Sequence, residues 1–240
     1  MRRLFLTMIS GVMLFSGCIG TPSPKQFQSE VPVSEPRILT TFDPLEKSAS
    51  ALNLDVPFFS QSPQGDWGAP YQEACEEASL LLAWYYVTDQ MPSMEKFESD
   101  LLKMIEWEVE YFGQYEHTSI EQTAEIARVY LGYENVEVAV NPTAAELRGW
   151  LGQGYPIVAP FAGRSLGNPY FTGLGPVYHN LVIRGYDGAQ FITNDVGTRH
   201  GKNFIYDEGV IMEALHDWHD AASADPNGIL QGEKKVLVVK

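Results

Sequence analysis

The patterning of the chain changes once, near Gly154, and that change sets the fold class. Before it, apolar residues recur at helical spacing. Ala78, Leu81, Leu82, Tyr85 and Tyr86 mark a helix over about residues 73–88, and residues 94–112 continue in helical pattern. Thr118 with Glu121, and Thr143 with Glu146, have the spacing of capping boxes, while Gly132 and Gly152 stand where those two helices stop. After Gly154 the runs PIVAPF, YHNLVIRGY, QFITND, NFIY and KKVLVV are short and rich in β-branched and aromatic residues, as strands are. LDVPFF reads as an earlier short strand, Asp187-Gly188 as a hairpin turn, and residues 209–218 as a last helix. Helices first and mostly antiparallel strands afterwards describe an α+β domain.

That domain occupies residues 51–240. Ahead of it, Arg2 and Arg3 precede a largely apolar run from Leu4 to Phe15 and then Ser16-Gly17-Cys18. A basic start, a short apolar stretch and small residues at its end describe an export signal, and the run is well short of the roughly 20 residues that span a bilayer. LFSGC resembles a bacterial lipobox, which makes Cys18 the lipidated first residue of a mature, membrane-anchored protein. Residues 19–50 are dominated by proline, serine and charge, and read as a flexible tether with a reach of about 30 Å.

Composition narrows the partners. Thirty-one acidic against sixteen basic side chains give a formal charge of -15, the wrong sign for binding nucleic-acid phosphates. Two cysteines exclude both a disulfide framework and a four-thiolate metal site. With Cys18 processed, Cys75 is the single thiol of an exported chain. It falls in the first turn of its helix, where the macrodipole favours thiolate, while Glu73, Glu76 and Glu77 oppose ionisation. An imidazole partner is therefore required, and His179, on the strand parity of Leu181 and Ile183, is the best placed. The return strand ends in Asn194-Asp195. A strict two-residue turn brings Asn194 to the histidine's face, and a longer bulged turn brings Asp195.

QEACEEASLLLAWYYV, YHNLVIRGYDG and FITNDVGT, in that order, resemble the double-glycine-leader peptidase-like (peptidase C39-like) family of the papain-like cysteine peptidase superfamily. The resemblance implies a papain-like α+β fold, with the nucleophile at a helix N-terminus packed on a mostly antiparallel sheet. It implies Cys75 as nucleophile, His179 as general base and Asp195 as the acid orienting it. It also implies a glutamine in the oxyanion hole: Gln61 in VPFFSQ, with Gln72 the alternative nearer in sequence. Glu76 stands where many relatives carry glycine. The expected activity is hydrolysis of peptide bonds in a peptide or protein substrate, with no cofactor and no metal. Two other readings fit the same residues: a catalytically silent envelope protein that binds peptides, and an amidase or transpeptidase acting on cell-wall peptides.

Other motifs compete less well. Gly163-Arg164-Ser165-Leu166-Gly167 matches a serine nucleophile elbow, but prolines and glycines follow where that elbow needs a helix. The loop is better read as a wall of the cleft, with Asn168 and Tyr170 near substrate. His216 and His219 with Asp217 and Asp220 lack a third ligand of the zinc-peptidase pattern and read as a solvated helix end. Trp67, in the loop before Cys75, is the aromatic residue expected in the groove rather than the core.

Overall fold

The computed structural model describes residues 50–240; the signal and lipobox with Cys18, and the tether up to residue 49, lie outside the described residues. Helices α1 (Cys75–Val87), α2 (Met94–Phe112) and α3 (Ile120–Glu125) come first, and a π-helical turn, Ile126–Tyr130, extends α3. Strand β1 (Ala51–Asn53) precedes them. After them come β2 (Val136–Val140), α4 (Ala144–Gly152), β3 (Ile157–Ala162), β4 (Tyr178–Asp187) and β5 (Gln190–Asn194). β6 (Phe204–Asp207), α5 (Glu208–Ala214), α6 (Ala221–Ala224) and β7 (Lys235–Val239) complete the chain. The strands form one antiparallel sheet in the order β2-β7-β3-β4-β5-β6, and β1 pairs with the far end of β4.

β4 is the centre of this sheet. Nine of its ten residues are buried, which requires both faces to be covered and explains why YHNLVIRGY does not alternate. α1 packs against β4, β3 and β7. It is buried almost all round, from Cys75 to Ala83 and at Tyr85, so its glutamates have no solvent face to occupy. α2, by contrast, buries one stripe through Phe97, Leu101, Met104 and Ile105 and runs unbroken to the left-handed Gly113.

Local chemistry accounts for most of the boundaries. Thr143 and Glu146 make the expected capping box at α4. At α3 the box is one residue later than the spacing of Thr118 and Glu121 suggests: Ser119 and Gln122 form it, and Thr118 is buried instead. LDVPFF, residues 54–59, is not a strand: β1 ends just before it at Asn53, although Leu54 still donates to the Arg184 carbonyl at 2.9 Å. VEVAV, not anticipated as a strand, is β2 at the sheet edge, and α5 ends at Ala214, before the histidine pair.

The hairpin that joins β4 to β5 differs from expectation in an instructive way. Asp187 pairs with Gln190, so the turn residues are Gly188-Ala189 rather than Asp187-Gly188. Counting back without interruption would put Asn194 opposite Ile183. A bulge between Ile183 and Gly185 shifts the register by one, and Asn194 instead faces Val182. Arg184, the extra residue, is buried and spends its guanidinium on the carbonyls of Leu54 and Val56 and on Asn194 Oδ1. β1 crosses so closely here that a Cβ on Gly185 would lie 2.2 Å from the Leu52 carbonyl oxygen. Gly185→Ala is accordingly expected to destabilise the fold by about 1–3 kcal/mol, the usual range for forced overpacking. Urea unfolding of the two proteins measures it, and an unchanged midpoint would show that β1 yields freely.

Candidate active site

The bulge decides which side chain meets His179. One residue beyond Asn194, Asp195 takes the parity of Leu181 and His179, and its Oδ1 lies 2.7 Å from His179 Nε2. Asn194 is turned to the other side, where its amide donates to the carbonyls of Val56 and Pro57. The ambiguity between the two is thus resolved geometrically for Asp195, through a bulge inside the strand and not through a longer turn.

Asp195 is completely buried and fully supplied with donors. Gly197 N–H donates to Oδ1 at 3.0 Å, while Asn168 Nδ2 at 2.8 Å and Tyr206 Oη at 2.6 Å donate to Oδ2. Burial opposes its ionisation, but His179 and these hydrogen bonds prevail and hold its carboxyl below the ordinary range. Asn168, expected at the substrate, is therefore buried support for the carboxylate. Tyr206 was not singled out by sequence, since β6 carries no motif. Behind the imidazole the backbone comes close: a Cβ on Gly197 would sit 2.7 Å from His179 Cε1. With Nε2 occupied by Asp195, Nδ1 is the ring nitrogen available to a reacting sulfur.

Cys75 opens α1, which has no side-chain cap. Cys75 lines the same cleft, of about 1110 Å³, as His179, Gln61 and Gln72. The cleft walls include Trp67, Tyr170 and the loop through Pro176, as the sequence suggested for this segment. Ser165 lies instead in a short 3-10 turn, Gly163–Leu166, with no helix of the elbow type after it. Gln61 N–H donates to the Val196 carbonyl at 3.0 Å, which ties it beside Asp195. Its side-chain Nε2 donates to the carbonyls of Tyr71 and Gln72 at 2.9 and 3.1 Å. The reverse amide orientation would point an oxygen at two carbonyls, so this one is the sound assignment. Both of its protons are engaged at rest. Gln72 is the more exposed of the two glutamines.

The acidic residues around the thiol are the largest departure from sequence reasoning. Glu76 does face the sulfur: Cys75 Sγ donates to Glu76 Oε2 at 3.0 Å. Burial first, and then the adjacent Glu76 and Glu77, push the thiol well up, while the Asn180 backbone amide acts the other way. Burial likewise raises Glu76 to about 8 and Glu108 to about 9, and pushes Glu77 far above the carboxylate range. No side-chain donor serves either oxygen of Glu77 or Glu108, and the nearness of the two carboxyl groups favours a proton on one of them. Glu108, on α2, gave no signal because a helical glutamate is ordinarily solvated.

The histidines elsewhere have local duties. His216 Nδ1 lies 2.8 Å from the Gly232 carbonyl, and His219 Nδ1 accepts from Ala221 N–H. Asp217 is buried, capping the amides of Ile120 and Trp218, so this segment is not a solvated helix end. His117 stacks on Trp218 and His200 on Tyr170, both pairs on the cleft wall.

A thiol at the head of a buried helix, laid on an antiparallel sheet, is the architecture of C39-like peptidases. The chain has that fold: it matches the crystal structure of a candidate C39-like peptidase from Bacillus anthracis with a TM-score of 0.51 and 16% identity. The match covers 78% of this chain and 97% of that one. Residues 53–224 match the Peptidase_C39 like family, and the chain belongs to it. A search of curated proteins finds no match.

The buried glutamates make stability depend on pH with a definite sign. Glu76, Glu77 and Glu108 are raised from 4.5, so the folded state holds protons that the unfolded chain releases. Their contribution is full below about pH 4.5 and is lost as pH rises through 8 and 9. Asp195, lowered from 3.8, works oppositely and loses its contribution as pH falls below that value. The melting temperature should therefore fall from pH 5 to pH 9 and do so less in Glu77→Gln, whose amide can donate to Glu108. A calorimetric pH series on both proteins reads this, and parallel curves would count against it.

Proposed function

We propose that the chain is a cysteine peptidase that hydrolyses peptide bonds through Cys75, His179 and Asp195. The observation that carries this reading is the buried 2.7 Å His179–Asp195 pair opening into the cleft that holds Cys75. His179 Nδ1 takes the thiol proton as sulfur attacks the peptide carbonyl. The resulting oxyanion is held at the start of α1 by the Cys75 backbone amide and by Gln61. To serve there, Gln61 must redirect one N–H from the carbonyl of Tyr71 or Gln72. One such donor is typically worth around 3 kcal/mol to the transition state. The imidazolium then protonates the leaving amine, and water repeats the sequence to free the acyl enzyme. Asp195 keeps the Nε2 proton in place throughout and so fixes the reactive tautomer. No step calls for a cofactor.

A second reading, a peptide-binding protein without turnover, is favoured by one observation: at rest the sulfur's hydrogen bond goes to Glu76. Turnover separates the two. Cys75→Ala should abolish cleavage of a mixed peptide library. Asp195→Asn should keep the fold and lower kcat by at least about 10²-fold. Cleavage by Cys75→Ala at the native rate would overturn the peptidase reading. So would the absence of cleavage by the native protein, if the peptides still raise its melting temperature. Muropeptides released from isolated walls would identify the amidase or transpeptidase form of the same chemistry.

We also propose that the protein works outside the cytoplasm, anchored through acylated Cys18, on the composition of residues 1–18 alone. In a bacterial host, radiolabelled fatty acid should enter the native chain and not Cys18→Ser. Equal labelling of the two would remove the anchor.

A further inference from the structure

Cys75 has one proton to give, and its direction matters. It lies on Glu76 Oε2 at 3.0 Å, inside the protein, where Glu76 is 1% exposed. The backbone amides of Glu76 itself and of Thr118 lie near the same carboxyl and favour its ionised form, against the larger effect of burial. The groups facing it from neighbouring elements are acidic or neutral. Glu77 stands beside it on α1, Glu108 behind it on α2, Tyr178 on β4, and half-buried Glu73 just ahead of the helix, next to His117. Among the described residues no lysine or arginine pairs with Glu76, Glu77 or Glu108. A thiolate formed here would join three buried carboxyl groups and no compensating ammonium or guanidinium.

We propose that Glu76 is a positioning residue that restrains Cys75 as a neutral thiol, so that the sulfur becomes a nucleophile only when the carboxyl releases it. Two features oppose the restraint, the N-terminal end of the α1 dipole and the Asn180 amide, and withdrawal of Glu76 leaves burial and Glu77 alone against them. Release breaks the S–H bond and leaves its electron pair on sulfur. The proton passes to His179 Nδ1, while the Nε2 proton stays on the imidazole, hydrogen-bonded to Asp195, so charge is conserved and no oxidant is involved. The restraint accounts for a reactive sulfur remaining a resting thiol in a single-cysteine domain. Its effect on turnover rests on the peptidase reading, but the restraint itself is read directly on the sulfur.

The test is alkylation of the full chain by iodoacetamide between pH 6 and pH 9, followed by intact mass, for the native protein and Glu76→Gln. Glutamine keeps a carbonyl acceptor for the thiol and removes the acid. Alkylation of Glu76→Gln should be at least several-fold faster at pH 9, where the native carboxyl, raised to about 8, is ionised, and its pH midpoint should be moved downward. An equal or slower rate would overturn the proposal, since a merely structural side chain would not accelerate the sulfur when lost. Should Glu76→Gln fail to fold, the native protein alone still decides. Its thiolate absorbance should rise only in the alkaline range, and thiolate already present at pH 6 would overturn the restraint. Faster alkylation without peptide cleavage by either protein would sink the peptidase reading and leave the restraint standing. Cleavage by the native protein with unchanged alkylation would do the reverse.

Discussion

In an antiparallel hairpin, the face on which a side chain emerges is settled by counting, and one inserted residue reverses every side chain beyond it. The β4–β5 hairpin depends on such an insertion. Arg184 is accommodated because its buried guanidinium finds the carbonyls of Leu54 and Val56, and because Gly185 lets β1 pass close by. The two segments involved, residues 51–56 and 184–185, are remote in sequence, yet they jointly determine that a carboxylate and not an amide stands against His179. An amide would have no charge to stabilise an imidazolium. The chemistry available at the cleft is therefore set about ten residues away, by what anchors the bulge.

The second constraint is the burial of α1. A helix that brings a cysteine to a cleft from its first turn must point that turn into the protein, and here the whole helix sinks into the core with it. Two carboxyl groups travel inward with the sulfur, and α2 brings a third. Burial makes the ionised forms of all of them costly, which favours shared protons and a neutral thiol over the thiolate–imidazolium pair that a lone cysteine and histidine would suggest. Asp195 is the exception, and it is one because four donors, one of them an imidazole, converge on it. Two acidic environments a short way apart thus have opposite protonation preferences, and the difference is a count of hydrogen-bond donors.

Much of this was legible in the chain. The division into early helices and late strands followed from periodicity, and the reading that set Cys75 and His179 on one cleft rested on helix position and strand parity; both residues line that cleft. Asn194 and Asp195 could not be separated by local pattern, because a bulge has no signature when its stabilising partners are backbone carbonyls far away. Ser119 outcompeted Thr118 as a cap because Thr118 was drawn into the core beside Glu76. Glu77 and Glu108 were invisible for a general reason: sequence reads a glutamate as a solvated residue, and only the packing of one helix against another reveals that no solvent reaches it.

The same packing bears on why the acidic cluster sits where it does. Core positions next to a nucleophile are normally filled by apolar side chains, which would also raise a thiol's pKa by excluding water. Under the proposed restraint a carboxyl does more, because its influence can be withdrawn: it can rotate and lose its hydrogen bond to sulfur. An alkyl side chain would give a permanently inert sulfur, and a cation beside it a permanently exposed thiolate. As proposed, a buried carboxyl between those limits would make reactivity conditional on release of the sulfur, at a stability cost that grows with pH and that the protonated cluster keeps small in acid.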